Sequence, residues 1–338
     1  MTKEVFILDA SALTKATCIR NLFWTIIQGY RERLPSQDIV YGAAFHKFAE
    51  LLEKTDGNIA IALKAAKNIF QPRNFIVKDN KDFQTPEHLT KTCMDYYLKK
   101  WLPVREEKST DDFKVFRVNG QPLVEYKFCI PFFSCDLFEI LLAGTIDKLG
   151  QFGSKGVCAI GDYKTTSAWT KSSYFDPFKI SPQFHVYCLV IYELAAKYPQ
   201  SIFDYMIKYR LSHFIDGVFL SSKEESQFIR SQVFHITKEE LNSFKKLLNA
   251  LVRELAFWII KWLASDRPQD TLFLPAEGVL NGSCRQPYGM CSFYKACSTP
   301  DREGKLAILK HQFKQKDYNP LEWGKEYDER PTNRNTNN

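Results

Sequence analysis

Gly144-Thr145-Ile146-Asp147, followed by Ile160-Gly161-Asp162-Tyr163-Lys164-Thr165, is the stretch on which the reading of this chain turns. The two segments end β-branched and aromatic runs, Leu137 to Leu149 and Val157 to Thr166, which read as strands. Side chains alternate along a strand, so Asp162 and Lys164 share one face and Tyr163 takes the other. Upstream, Phe113 to Val118 and Leu123 to Phe132 flank Asn119-Gly120, a hairpin signal.

Further outward the period changes. Ile39, Ala43, Phe48, Leu51 and Leu52 recur at helical spacing within Ser36 to Lys54, and Asn58 to Phe70 is a second helical stretch. Thr85-Pro86 predicts a helix start running to about Trp101, and Ser181-Pro182 another running to about Lys197. Thr237 to Glu240 has capping-box spacing and opens a long helix ending near Ala264. Tyr205 to Leu211, Gly217 to Leu220 and Gln232 to Ile236 read as further strands. Pro268 to Pro300 is loop-rich, and the polar tail Pro331 to Asn338 is expected to be disordered. The order implies one α/β core with a helical elaboration at its front.

Composition is that of an ordinary globular chain: 338 residues, 45% hydrophobic and 25% charged, with 27 Phe to fill a core. A net charge of +7 permits a polyanionic partner without requiring one. Glu4 and Asp9 interrupt the first ten residues where a signal peptide needs an apolar run. Lys261 breaks Leu255 to Ala264, which is too short to span a bilayer. A cytoplasmic protein without a membrane partner is expected, and its nine cysteines are then thiols or metal ligands rather than disulfides.

Two carboxylates beside an ammonium suit phosphodiester hydrolysis. Asp147 and Asp162 would hold Mg²⁺ or Mn²⁺, and Lys164 would position the attacking water. Taken alone, an Asp-x-Lys triplet is an ordinary surface pair. In order along the chain, however, Gly144-x-x-Asp147 and Asp162-Tyr163-Lys164-Thr165 resemble the core of the PD-(D/E)xK nuclease superfamily. Three further features resemble its RecB-like branch: Gly42-Ala43-Ala44-Phe45-His46, Glu125 on the preceding strand, and Gln183-x-x-x-Tyr187. The resemblance implies a restriction-endonuclease-like core, a central mixed sheet flanked by helices. It implies metal ligands His46, Asp147 and Asp162 with the Tyr163 carbonyl, Glu125 as a supporting acid, and Gln183 and Tyr187 on the substrate side.

Cys93, Cys129, Cys135, Cys158 and Cys188 lie in apolar patterns and are expected to be buried thiols. Cys284, Cys291 and Cys297 lie in a turn-rich segment able to wrap a metal, although Cys129 and Cys135 share the spacing of Cys291 and Cys297. By the same resemblance Cys18 supplies a fourth ligand, joining the two ends of a nuclease domain over residues 1–300, with 301–338 as an extension. Four thiolates suit a [4Fe–4S] cluster and equally suit zinc. The gap between Cys284 and Cys291 is longer than the common pattern and is similar to phage-encoded members. The implied activity is a deoxyribonuclease, foremost a single-stranded DNA exonuclease in phage or prokaryotic recombination, repair or DNA processing, with a helicase, recombinase or integrase partner. A CRISPR spacer-acquisition nuclease and a non-cutting DNA-binding subunit are the alternatives.

Overall fold

One eight-stranded sheet organises the chain. In chain order its strands are β1 (Glu4–Asp9), β2 (Phe113–Val115), β3 (Val124–Ser134), β4 (Phe138–Phe152), β5 (Val157–Thr166), β6 (Ser212–Phe219), β7 (Gln227–Arg230) and β8 (Phe234–His235). The path runs β1-β4-β5-β6-β7, with β2 and β3 also on β4 and β8 on β6. β1 is parallel to β4 and β5 to β6, while the other pairings are antiparallel, so the sheet is mixed. The computed structural model describes residues 3–316, 319 and 321, except 11, 16, 72–74, 76–83, 109–112, 154–155, 168–172, 222–224, 266–273, 275, 277–280 and 287–288. The expected disordered tail, Pro331 to Asn338, lies outside the described residues.

Helices cover both faces. α1 (Ile19–Ile26), α2 (Gln37–Lys54), α3 (Ile59–Ile69) and α4 (Pro86–Tyr96) form the front elaboration, and α5 (Pro182–Lys197), α6 (Ile202–Lys208), α7 (Lys238–Ala264), α8 (Tyr294–Ser298) and α9 (Arg302–Gln312) follow. Ile160 and Ile215 pack with α1, α5 and α7, whereas Tyr163 and Val218 pack with α2, α3 and α4. Sequence signals behave as their chemistry predicts. Asn58 and Thr85 cap their helices, Thr237 and Glu240 complete a capping box, and Asn119 and Gly120 both take positive φ in the hairpin turn.

The stretch Tyr205 to Leu211 is not a strand. Ile202–Lys208 is helix α6, because Ser201 accepts the Asp204 amide at 3.4 Å, Asp204 pairs with Lys208 one turn on, and Phe203 and Met206 bury one face. Aromatic content is a weak strand signal against a cap and a three-residue apolar spacing. Strand β7 carries no comparable signal and was not read from the sequence. Nor do the carboxylates end their strands, since β4 continues to Phe152 and β5 to Thr166.

Candidate active site

The strands that carry the two aspartates separate where the aspartates stand. β4 pairs with β1 as far as Asp9↔Ala143, and with β5 only from Lys148↔Gly161 onward. Beyond Gly161, β5 continues beside β6 through Thr166↔Phe219. Gly144 to Asp147 therefore faces a fork, and side chains serve its backbone. Asp147 Oδ2 accepts the Tyr163 amide at 2.7 Å, and the Tyr187 hydroxyl donates to the Thr145 carbonyl at 2.7 Å. Ile146 and Leu149 face the same core although three residues apart, so alternation breaks between them, at Asp147 and Lys148. Across on β3, Glu125 has φ 50°, a left-handed conformation that costs a non-glycine residue on the order of 1 kcal/mol or more.

That irregularity serves a cluster. One ligand atom each from His46, Glu125 and Asp147 lies within 4.8 Å of the other two. His46 Nδ1 is 3.2 Å from Asp147 Oδ2, and its Nε2 is 2.9 Å from the Tyr163 carbonyl, which can only accept. That contact places a proton on Nε2 and turns Nδ1 toward the carboxylates. Lys164 Nζ lies 2.5 Å from Asp162 Oδ2, and Asp162 is only 1% exposed. Gln183, one turn from Tyr187 on α5, donates to Asp162 Oδ1 at 3.3 Å and to the Tyr187 oxygen at 2.7 Å. Every residue expected at the carboxylate site is thus brought together, including the carbonyl of Tyr163.

Two motif glycines have steric reasons. A Cβ at Gly144 would lie 2.8 Å from the Phe128 ring and 3.6 Å from the Tyr187 ring, and one at Gly42 would lie 3.0 Å from Thr165 Oγ1. The first makes room for the Phe128 ring against β4. The second lets α2 bring His46 against β5.

Electrostatically the cluster is crowded with negative charge. Burial lowers the His46 imidazole, but Asp147, Glu125 and Asp162 outweigh it and hold its pKa well above the usual histidine value. Burial raises Glu125, and neighbouring Asp147 raises it further. Burial raises Asp162 in spite of Lys164. At Asp147 burial is overcome by His46, Lys164 and the Tyr163 amide, which hold its carboxyl below the ordinary value. Burial lowers Lys164, yet Asp162 and Asp147 keep its ammonium charged.

The four turn and N-terminal cysteines share a second place. Cys18, Cys284, Cys291 and Cys297 line one small cavity with Asn21, Trp24 and Phe293. Asn21 Nδ2 donates to Cys291 Sγ at 3.3 Å, and Arg20 Nη1 to Cys297 Sγ at 3.9 Å. Among the described residues the carboxylate cluster alone gathers three ligand atoms mutually within 4.8 Å, so no three of these sulfurs lie that close together. Cys93, Cys158 and Cys188 are buried as expected. Cys129 is not: it is exposed, because β3 turns alternate side chains away from the core, and Cys135, just beyond that strand, is half-buried.

No protein-family model and no curated protein matches the chain. Among solved structures, a protein of Eubacterium rectale provisionally described as an exonuclease is similar at 15% identity and a TM-score of 0.40, over 74% of this chain and 81% of that one. A likeness of that size decides neither family nor chemistry. Among the described residues no helix is long and apolar enough to cross a membrane.

Proposed function

We propose that the chain is a metal-dependent deoxyribonuclease of the RecB-like, PD-(D/E)xK type. The observation that carries the reading is the convergence of His46, Glu125 and Asp147 within 4.8 Å, beside the Asp162–Lys164 pair. One imidazole and three carboxylates form a donor set for a hard divalent cation such as Mg²⁺ or Mn²⁺. The raised His46 and Glu125 support the fit, since protons there do the neutralising that a cation would do. Such an ion, when bound, polarises the phosphate and acidifies a water.

His46, Asp147 and Asp162 would hold the ion, Glu125 would support it, and the second lone pair of the Tyr163 carbonyl is open to it. Lys164, charged and held by Asp162, orients the water and offsets charge developing on the phosphate. Gln183 and Tyr187 fix the Asp162 carboxylate and the fork from the α5 side, where the substrate strand would lie. Single-stranded DNA degraded from an end is the favoured substrate, with a helicase, recombinase or integrase as partner.

The test is an assay with Mn²⁺ on end-labelled linear and on circular single-stranded DNA. Loss of the linear form alone means an exonuclease, and loss of both an endonuclease. Two intact substrates would return the non-cutting subunit in its place. DNA affinity should also fall steeply with salt, as phosphate neutralisation demands.

For the cysteine cavity we infer a [4Fe–4S] cluster held by Cys18, Cys284, Cys291 and Cys297. Four thiols facing one cavity fit the group, and the Asn21 and Arg20 donors fit thiolate charge. A single zinc would draw four sulfurs to about 3.8 Å of one another, given Zn–S bonds near 2.3 Å. Zinc on the same four thiolates is the alternative, and metal analysis of the purified protein separates the two.

A further inference from the structure

A cavity of about 350 Å³ opens on the face of the sheet away from Asp162 and Lys164. Register sets that face: Lys148 is level with Gly161, and Asp216 is level with Tyr163. Its floor is an ion triad that the carboxylate site does not use. Arg230 grips Asp216 through Nε at 2.7 Å and Nη2 at 3.0 Å, and Lys148 pairs with the same carboxylate. The three side chains are 5%, 17% and 21% exposed for Lys148, Asp216 and Arg230. Buried ion groups of this kind add little stability over apolar residues of the same volume, so fold maintenance does not account for the triad.

Tyr96, Trp101, Phe113, Tyr163 and Phe228 form the walls, and Lys100, Arg105, Lys114 and Arg117 stand toward the mouth. Around the whole lining six cations face three carboxylates, Glu53, Glu107 and Asp216. The mouth cations Arg105 and Lys114 form exposed pairs with Asp56 and Glu107 respectively, and Arg105 also lies over the Trp101 ring. Exposed pairs of that kind exchange readily for a stronger anion.

We propose that this cavity binds a nucleoside 5′-monophosphate, its base between the aromatic walls and its phosphate at the cationic mouth. Each half of the lining needs a matching half of the ligand. An apolar ligand would bring no charge to exchange with the mouth pairs, and inorganic phosphate would make no use of the aromatic walls. The volume is that of a small-molecule site, enough for one nucleotide and not for a duplex. Arginine forks suit phosphate oxygens, and aromatic rings accept any base face. The proposal stands whether or not the carboxylates cut DNA. It gives Tyr163 a second duty, because this wall residue lies between Asp162 and Lys164 and its backbone holds Asp147 and His46.

Calorimetry in EDTA with adenosine 5′-monophosphate, adenosine and inorganic phosphate tests it without relying on activity. The nucleotide should bind about tenfold or more tighter than either fragment, ~1.4 kcal/mol per tenfold. Arg105→Ala with Lys114→Ala, both exposed, should remove that advantage while leaving adenosine binding in place. Val104→Trp, which fills the cavity, should abolish both. Asp162→Ala should change neither. Competition by a 5′-phosphorylated tetranucleotide, and not by its hydroxyl-ended form, would assign the nucleotide to a strand end. Without that competition the ligand is free nucleotide. Binding no tighter than adenosine, indifference to the mouth substitutions, or loss on Asp162→Ala would each overturn the proposal.

Discussion

The carboxylate fork and the cysteine cavity are assembled in opposite ways. Asp147 and Asp162 are fifteen residues apart and meet through one strand pairing, whereas Cys18 and Cys297 come from nearly opposite ends of the sequence. The fork crowds like charges and holds Glu125 at positive φ, so it costs stability. With the proposed cluster bound, the cavity would close a long loop and add stability, and two N–H donors already reach its sulfurs. On the proposed reading, chemistry would be concentrated where the fold is locally strained, and cross-linking where the two ends of the chain meet.

Asp162→Ala should make the largest difference, because it removes a 1%-exposed carboxylate and frees Lys164 from its partner. A loss of about a thousandfold or more in cleavage rate is expected with DNA binding largely kept, ~4 kcal/mol of transition-state stabilisation. Retention of more than about a tenth of the rate would move the chemistry elsewhere.

Replacing Cys18 by Ser should act on the other region alone. Protein purified without oxygen should lose its brown colour and iron, with a stability loss of about 3–5 kcal/mol by the loop-closure argument. Cys129→Ser, at an exposed thiol, is the control and should change neither. Metal loss from that variant would undo the contrast between the regions, and one zinc per chain would keep the four ligands while replacing the cluster.

The scaffold of the fork carries its own pH dependence. His213 on β6 is fully buried, stacks on Phe184 at 4.2 Å, and has Phe178 O as its Nε2 acceptor at 3.2 Å. Burial lowers its pKa from 6.5 to about 4, with His185 and His235 adding to the effect. The unfolded chain thus binds a proton between those values that the folded chain refuses. Stability is complete above pH 6.5 and falls as pH drops toward 4, by up to about 3 kcal/mol. Denaturant titrations at neutral and acid pH measure the slope, which His213→Gln should flatten.

Smallest in size is the strain at Glu125. Asn tolerates positive φ and removes one crowded carboxylate, so Glu125→Asn should raise stability by about 1 kcal/mol while slowing cleavage. A lower melting temperature in this variant would mean that the left-handed backbone is not the source of the cost.

The strands of the fork were legible because alternation and a motif act within a few residues. Thr85-Pro86 and Thr237 to Glu240 were legible for the same reason, since caps are local hydrogen bonds. What stayed hidden depends on register. No spacing in the sequence announces that β4 and β5 part at Asp147, because pairing register belongs to the whole sheet, or that Lys148 meets Asp216, which lies 68 residues further along the chain. Cys129 was misread for a related reason: an apolar neighbourhood does not say which face of a strand is covered.

Helix α1 has a consequence for the order in which the protein is made. All eight of its residues are buried, and Phe23 and Trp24 pack edge-on against Trp262 and Phe293. Phe313 closes the same core, stacking on Phe293, and its strand pairs with Tyr30–Glu32. Everything that covers α1 on that side is therefore translated some 230 to 290 residues after it. At about 5–20 residues per second, a nascent chain carries this apolar helix uncovered for roughly 10 to 60 seconds.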